Sequence, residues 1–124
     1  MQPSKVIEIK AFVPARNFEL SRRFYLDLGF QENWGDGQIC ELELDGYRFL
    51  LQNFYVQEHA GNFMMSLTVE NADDWWEHIQ SIGLLNKYNL RIARSPEFQP
   101  WGLYVLYLTD PTGVLWHIAD QRKK

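Results

Sequence analysis

The alternation of hydrophobic and polar residues changes period along the chain, and each change predicts a strand or a helix. Residues 6–14 alternate loosely and are rich in β-forming types, which predicts a strand. Behind Asn17, a good N-cap, apolar side chains recur at helical spacing until Gly29, which closes the helix. The dipeptide Asp45-Gly46 predicts a tight hairpin turn. Around it the pattern predicts three strands: 30–34, 39–44 and 47–54.

The second half of the chain repeats this order. Residues 63–69 predict a strand, and Asn71 or Asp73 caps a helix that ends at Gly83. A short strand is predicted at 91–94, and two apolar runs around the turn 110–113 predict a closing hairpin.

An internal repeat relates the two halves. An offset of 54 residues superimposes Asn17 on Asn71 and Gly29 on Gly83. The hairpins align at a larger offset, which indicates an insertion of about 11 residues between Leu84 and Trp101. Long loops often shape ligand sites, so we expect this one to lie near the site.

The pattern therefore predicts an α+β fold with two βαβββ modules in one domain, 1–124. The modules span about 5–54 and 62–120, and residues 55–61 form a linker. The helix of each module covers one face of its sheet and leaves the other face open. Two such modules, from one chain or from two, can close around a concave site, which we call the cup.

Composition and charge narrow the choice of partners. The chain has 124 residues, of which 46% are hydrophobic and 15% aromatic, so it can bury a core and line a pocket with rings. A net charge of −4 argues against nucleic acid and leaves room for a neutral or cationic small ligand. The single cysteine, Cys40, predicts no internal disulfide. Without a membrane-length apolar run or a signal-peptide pattern, a soluble cytoplasmic protein that binds no membrane is expected.

Several motifs resemble the vicinal oxygen chelate superfamily, which includes glyoxalase I, extradiol dioxygenases, fosfomycin resistance proteins and bleomycin resistance proteins. The resemblance extends from Ile9 to Ala119. The motifs that carry it lie at 13–25, 28–30 and 110–116, and those at 62–65, 71–76 and 99–102 resemble the bleomycin-resistance-like branch. The resemblance implies a homodimer in which modules of two subunits form each cup.

The superfamily's enzymes hold a divalent metal with four side chains, and this sequence departs from that set. Lys10 and Met64 fall where those enzymes have histidine. The first carboxylate falls near Leu50 or Gln52, and the second falls on His117. Lysine at neutral pH has no free lone pair, and a thioether is a poor ligand for such metals. We therefore expect no metal, no cofactor and no catalytic residue, and the sequence leans away from an enzyme.

A set of side chains is predicted to line the cup. Four of them have simple alternatives, since His117 could be a hydrogen-bonded core residue and Met64 could fill the core. The Trp101 ring could pack on the protein's own edge, and Lys10 either reaches solvent or meets an anion. The predicted ligand-binding residues are Lys10, Phe12, Trp34, Met64, Ser66, Trp101 and His117.

The resulting functional hypothesis is metal-free binding and sequestration of a small aromatic or heterocyclic compound, in the manner of an antibiotic resistance protein. The alternative is a metal-dependent lyase or dioxygenase with an unusual ligand set. That set would combine His117 with Glu41 or Glu43 and a residue of a second subunit.

Overall fold

The computed structural model describes residues 2–124. The first module contains helix α1, Phe18–Leu28, and four strands: β1, Phe12–Pro14; β2, Gln31–Gly35; β3, Ile39–Leu44; and β4, Tyr47–Gln52. A short helix α2, Gln57–Ala60, lies in the segment predicted as a plain linker.

The second module repeats the arrangement with one addition. Its helix α3, Ala72–Ser81, is followed by a short helix α4, Leu84–Lys87. Its strands are β5, Met64–Thr68; β6, Ala93–Phe98; β7, Tyr104–Thr109; and β8, Leu115–Asp120. The predicted insertion is therefore not an irregular loop, because α4 and β6 occupy most of it.

The two four-stranded sheets have the same topology. Their strand orders are β1-β4-β3-β2 and β5-β8-β7-β6. In each sheet the first strand lies parallel to the last, with Phe12 opposite Leu50 and Ser66 opposite His117, and the other pairs are antiparallel. The prediction of an α+β fold with two βαβββ modules is confirmed.

The predicted helix starts are confirmed by their caps. The Asn17 side chain accepts a hydrogen bond from Leu20 N at 3.1 Å, and the Asn71 side chain accepts one from Asp74 N at 3.0 Å. Gly29 ends α1 with a φ of 129°. Gly83 differs from the prediction, because α3 ends at Ser81 with Ile82 as its C-cap, and the left-handed Gly83 instead leads into α4.

The first predicted strand is much shorter than expected. Of residues 6–14 only Phe12–Pro14 form a strand. Residues 6–11 have the alternating pattern of a strand but do not form a ladder with a neighbouring strand. Ile7 and Ile9 are 87% and 89% exposed. The apolar periodicity of this segment is therefore not explained by burial within one chain.

One hydrophobic core joins the two modules. The Trp116 ring of β8 lies 5.6 Å from the Phe49 ring of β4 and 5.7 Å from the Tyr25 ring of α1. Leu42 and Leu51 of the first sheet and Leu106 of the second are completely buried in the same cluster. The sheets thus direct their helix-bearing faces toward each other. Among residues 2–124, no helix combines the length and apolarity needed to cross a membrane.

Candidate functional site

Strand alternation identifies the side chains on the face of each sheet that no helix covers. On β8, Trp116 and Ile118 are in the core, so His117 between them points to the opposite face. On β4 the same reasoning places Leu50 opposite Phe49 and Leu51. The first open face carries Lys10, Phe12, Glu41, Glu43, Arg48 and Leu50, and the second open face carries Met64, Ser66, Arg94, Tyr107 and His117.

The two open faces look away from each other within one chain, because the sheets pack through their core faces. The predicted ligand residues are therefore divided between two surfaces. Lys10 and Phe12 lie on the first open face, whereas Met64, Ser66 and His117 lie on the second. A cup that contains both groups needs a second copy of the chain.

The first open face carries a network of ion pairs. The Lys10 ammonium group bonds to Oε1 of Glu41 at 2.5 Å and lies 3.0 Å from a carboxylate oxygen of Glu8. Asn33 Nδ2 donates to the carboxylates of Glu41 and Glu43, at 2.9 and 3.1 Å. Lys10 thus meets an anion, the second of the two alternatives that the sequence left open.

These pairs fix the charges of the carboxylates. The hydrogen bond from Lys10, and then that from Asn33, lowers the pKa of Glu41. The hydrogen bond from Arg48, at 2.6 Å, lowers the pKa of Glu43. Although Glu41 is only 7% exposed, its charge is already balanced by Lys10, so this carboxylate gives the first open face little preference for a cationic ligand.

On the second open face, four side chains form one row across the four strands. Cross-strand partners lie side by side on the same face of a sheet. The register places Ser66 opposite His117, His117 opposite Tyr107, and Tyr107 opposite Arg94. We call these four residues the donor row.

His117 is the least satisfied polar side chain in the described part of the chain. Its Nε2 atom is buried without a hydrogen-bond partner, and its ring packs edge-on against Tyr107 with centroids 4.8 Å apart. Burial lowers the pKa of His117, which favours the neutral imidazole. Burial also raises the pKa of Tyr107, so the phenol stays protonated. A hydrogen-bonded core histidine, the simple alternative, does not match this environment.

The two tryptophans predicted to bind the ligand lie away from the donor row and from the ion pairs of the first open face. Trp34, 48% exposed, lines a groove beside α1 with Phe18 and Arg22, and its neighbour Asn33 reaches the first open face instead. Trp101 lies in the turn between β6 and β7 and is 59% exposed. Its ring makes no aromatic contact with any residue in 2–124.

The residues at the superfamily's metal positions do not fit a divalent cation. The ammonium group of Lys10 has no free lone pair and is bound by Glu41. Met64 is 61% exposed, and its only donor atom is a thioether sulfur, a poor ligand for such metals. Leu50 has no donor atom. Within residues 2–124 no three histidine, cysteine, aspartate or glutamate side chains converge in a way that could hold a metal ion.

Comparison with known proteins identifies the family. The model of the "Glyoxalase/Bleomycin resistance protein/Dioxygenase superfamily" matches residues 9–118. The chain belongs to this superfamily. Since the match includes both modules, the paired βαβββ arrangement is the family's fold. Comparison with curated protein sequences gives no match.

Solved structures of the superfamily share this fold at low sequence identity. A bleomycin resistance determinant encoded on transposon Tn5 is 20% identical, with a TM-score of 0.77 over 94% of this chain and 99% of its own. A bleomycin-binding protein complexed with bleomycin is 22% identical, with a TM-score of 0.78 over 94% and 100% of the two chains. Lactoylglutathione lyase from Agrobacterium tumefaciens is 15% identical, with a TM-score of 0.68 over 94% and 95%.

Two residues of the donor row were missed from sequence. Tyr107 lies in the apolar run 104–109, where every position reads as core, so periodicity alone does not separate its faces. Arg94 was placed in a short strand but not assigned to the site. The hairpin around 110–113 contained the missing signal, because its register sets Tyr107 opposite His117 and so on the same face.

Proposed function

We propose that this protein binds and sequesters a small aromatic or heterocyclic compound, and that each site forms between the first open face of one copy and the second open face of another. The observation that carries the proposal is the exposure of apolar side chains on both open faces. Phe12 is 50% exposed and Met64 is 61% exposed. A monomer seldom leaves such side chains uncovered on two sheet faces, whereas a ligand or a second copy would bury them.

The proposal does not use a metal. The ammonium group of Lys10, bound between two carboxylates, has the position that the resemblance assigns to a metal-binding histidine. In this proposal His117 contacts the ligand through its neutral imidazole ring. Similarity in fold to a bleomycin-binding protein makes bleomycin the first compound to test.

Titration of the purified protein with bleomycin and with a panel of planar aromatic compounds tests this proposal. Isothermal titration calorimetry would report binding, because its signal does not depend on where Trp34 and Trp101 lie relative to the site. Light scattering after size exclusion would report the oligomeric state. We expect a dimer with one ligand bound per cup.

Two variants with exposed apolar side chains provide a matched comparison. Met64→Ser removes an apolar contact from the second open face and should weaken binding. Tyr47→Ser changes a side chain that is 77% exposed but lies by the β3–β4 turn, in a groove with Leu67 and Trp75. It should leave binding unchanged. A monomer that binds none of the compounds would contradict the proposal.

A further inference from the structure

The donor row consists only of side chains that can donate hydrogen bonds. Arg94 carries guanidinium N–H groups, Tyr107 and Ser66 carry hydroxyl groups, and neutral His117 carries one N–H. Neighbouring strands lie about 4.8 Å apart, so the row extends over about 14 Å of the open face. A ligand that lies along it meets donors at each strand.

In the described part of the chain Arg94 lacks an anionic partner, as do Arg16 and Arg91, whereas the other four arginines form ion pairs. Arg22, Arg48 and Arg122 each have a carboxylate within 3.0 Å, and Arg23 has one at 3.9 Å. No carboxylate of residues 2–124 lies within 4.0 Å of the Arg94 guanidinium group. Glu97 lies on the same strand and face, paired with Val105, but it makes no ion pair with Arg94.

The corresponding row of the first sheet shows the opposite chemistry. At the position equivalent to His117 it has Leu50, and at the position next to it, equivalent to Tyr107, it has the carboxylate of Glu41. That carboxylate is bound by Lys10 and Asn33. The first sheet thus pairs its own charges, whereas the Arg94 guanidinium group of the second sheet has no carboxylate partner among residues 2–124.

We propose that the donor row binds an oxyanion of the ligand, most simply a carboxylate, with Arg94 as its ion-pair partner and with the aromatic part of the ligand against Tyr107 and His117. A guanidinium group matches a carboxylate in a two-point hydrogen bond, and the Tyr107 hydroxyl group adds a third donor. This inference rests on the proposed function and specifies the class of compound: an aromatic or heterocyclic acid.

Calorimetric titration with 2-naphthoate and with uncharged 2-naphthamide tests the inference, because the two probes share shape and differ in charge. We expect 2-naphthoate to bind more tightly, and its affinity to fall as salt is added. Arg94→Gln should weaken 2-naphthoate binding about tenfold or more, since a charge-assisted hydrogen bond is lost. The same variant should leave 2-naphthamide binding nearly unchanged.

Arg91→Gln is the matched control. Arg91 is also exposed and has no carboxylate partner among residues 2–124, but it lies before β6 in a groove with Tyr55 and Asn62. The control variant removes the same charge and should bind 2-naphthoate like the unmodified protein. Tyr107→Phe, which removes only a hydroxyl group, should weaken binding by a few-fold.

The outcomes separate this inference from the proposed function. Equal affinity for the two probes, no effect of Arg94→Gln, or an equal loss with Arg91→Gln would overturn the oxyanion assignment while the binding function stands. If neither naphthyl probe nor any planar compound of the panel binds, the proposed function fails as well. Circular dichroism of both arginine variants shows whether the fold is retained.

Discussion

The Tyr25 hydroxyl group donates a hydrogen bond of 2.6 Å to Oδ2 of Asp110, and this contact ties helix α1 of the first module to the closing hairpin of the second. Both residues are almost completely buried. Trp116 Nε1 donates to the same hydroxyl oxygen at 2.9 Å. The other carboxylate oxygen of Asp110 accepts from the backbone N–H groups of the turn at 112–114. The modules are thus joined by a satisfied polar group inside an aromatic core.

Tyr25→Phe should lower the free energy of unfolding by about 1–3 kcal/mol, because the change leaves buried donor and acceptor atoms of Trp116 and Asp110 without a partner. Urea denaturation followed by fluorescence measures this loss. Tyr104→Phe is the control, since the Tyr104 hydroxyl group makes a 2.8 Å bond to exposed Asp73. An equal loss in both variants would contradict the special role of the buried contact.

Asn17→Ala should destabilise the protein by about 1 kcal/mol, the usual cost of losing an N-cap side chain. The Asn17 carboxamide oxygen accepts from Leu20 N, an N–H group that has no partner within the helix. Asn86→Ala, an exposed position inside α4, should change stability by less than about 0.5 kcal/mol. Thermal and urea denaturation of the two variants provide the comparison, and equal stabilities would refute the capping role.

His117 should make the stability depend on pH below neutrality. Burial holds the folded-state pKa of His117 below 6.5, the value of an ordinary histidine. Between these two values the unfolded chain binds more protons than the folded chain, so the free energy of unfolding falls as the pH decreases through this range. The stabilisation is fully present above about pH 6.5 and is lost toward the lower, folded-state value.

Urea denaturation at a series of pH values, together with nuclear magnetic resonance of the imidazole ring, measures the His117 effect. His117→Gln should remove part of the pH dependence between pH 7.5 and 5.5. His59→Gln, at an exposed position in α2, should retain it. A ring that titrates at or above the ordinary histidine value would contradict the prediction.

Two substitutions test whether the cup forms between two copies. Lys10 and Met64 lie on different open faces, so histidines introduced at both positions cannot meet His117 within one chain. If the first open face of one copy covers the second open face of another, Lys10→His and Met64→His together complete a three-imidazole site, the number of protein ligands in many open zinc sites. The double variant should then bind one Zn²⁺ per cup.

The single variants are the controls for this experiment. Each offers only two imidazole groups per cup and should bind Zn²⁺ far more weakly. Subunit exchange between Lys10→His and Met64→His proteins should create one complete site per mixed dimer, which calorimetry detects as recovered tight binding. Failure to recover binding after exchange would argue against the cross-subunit cup.

The sequence was sufficient for most of the architecture because the governing interactions are local. The caps at Asn17 and Asn71 bond to N–H groups three residues away, and the Asp45-Gly46 turn fixes its hairpin by backbone preference. The repeat predicted two similar sheets. Segment 6–11 was misjudged because its alternating apolar pattern indicates burial without saying which surface provides it.

What the tertiary structure decided is which residues share a surface. Strand alternation places Phe12 and His117 each on an open sheet face, yet the packing of Trp116 against Phe49 directs those faces away from each other. The unpartnered Arg94 and the Lys10–Glu41 ion pair depend on strand register and side-chain reach over long sequence distances. Local pattern determines which side of its own strand a residue occupies, whereas only the packing of complete sheets determines what lies opposite it.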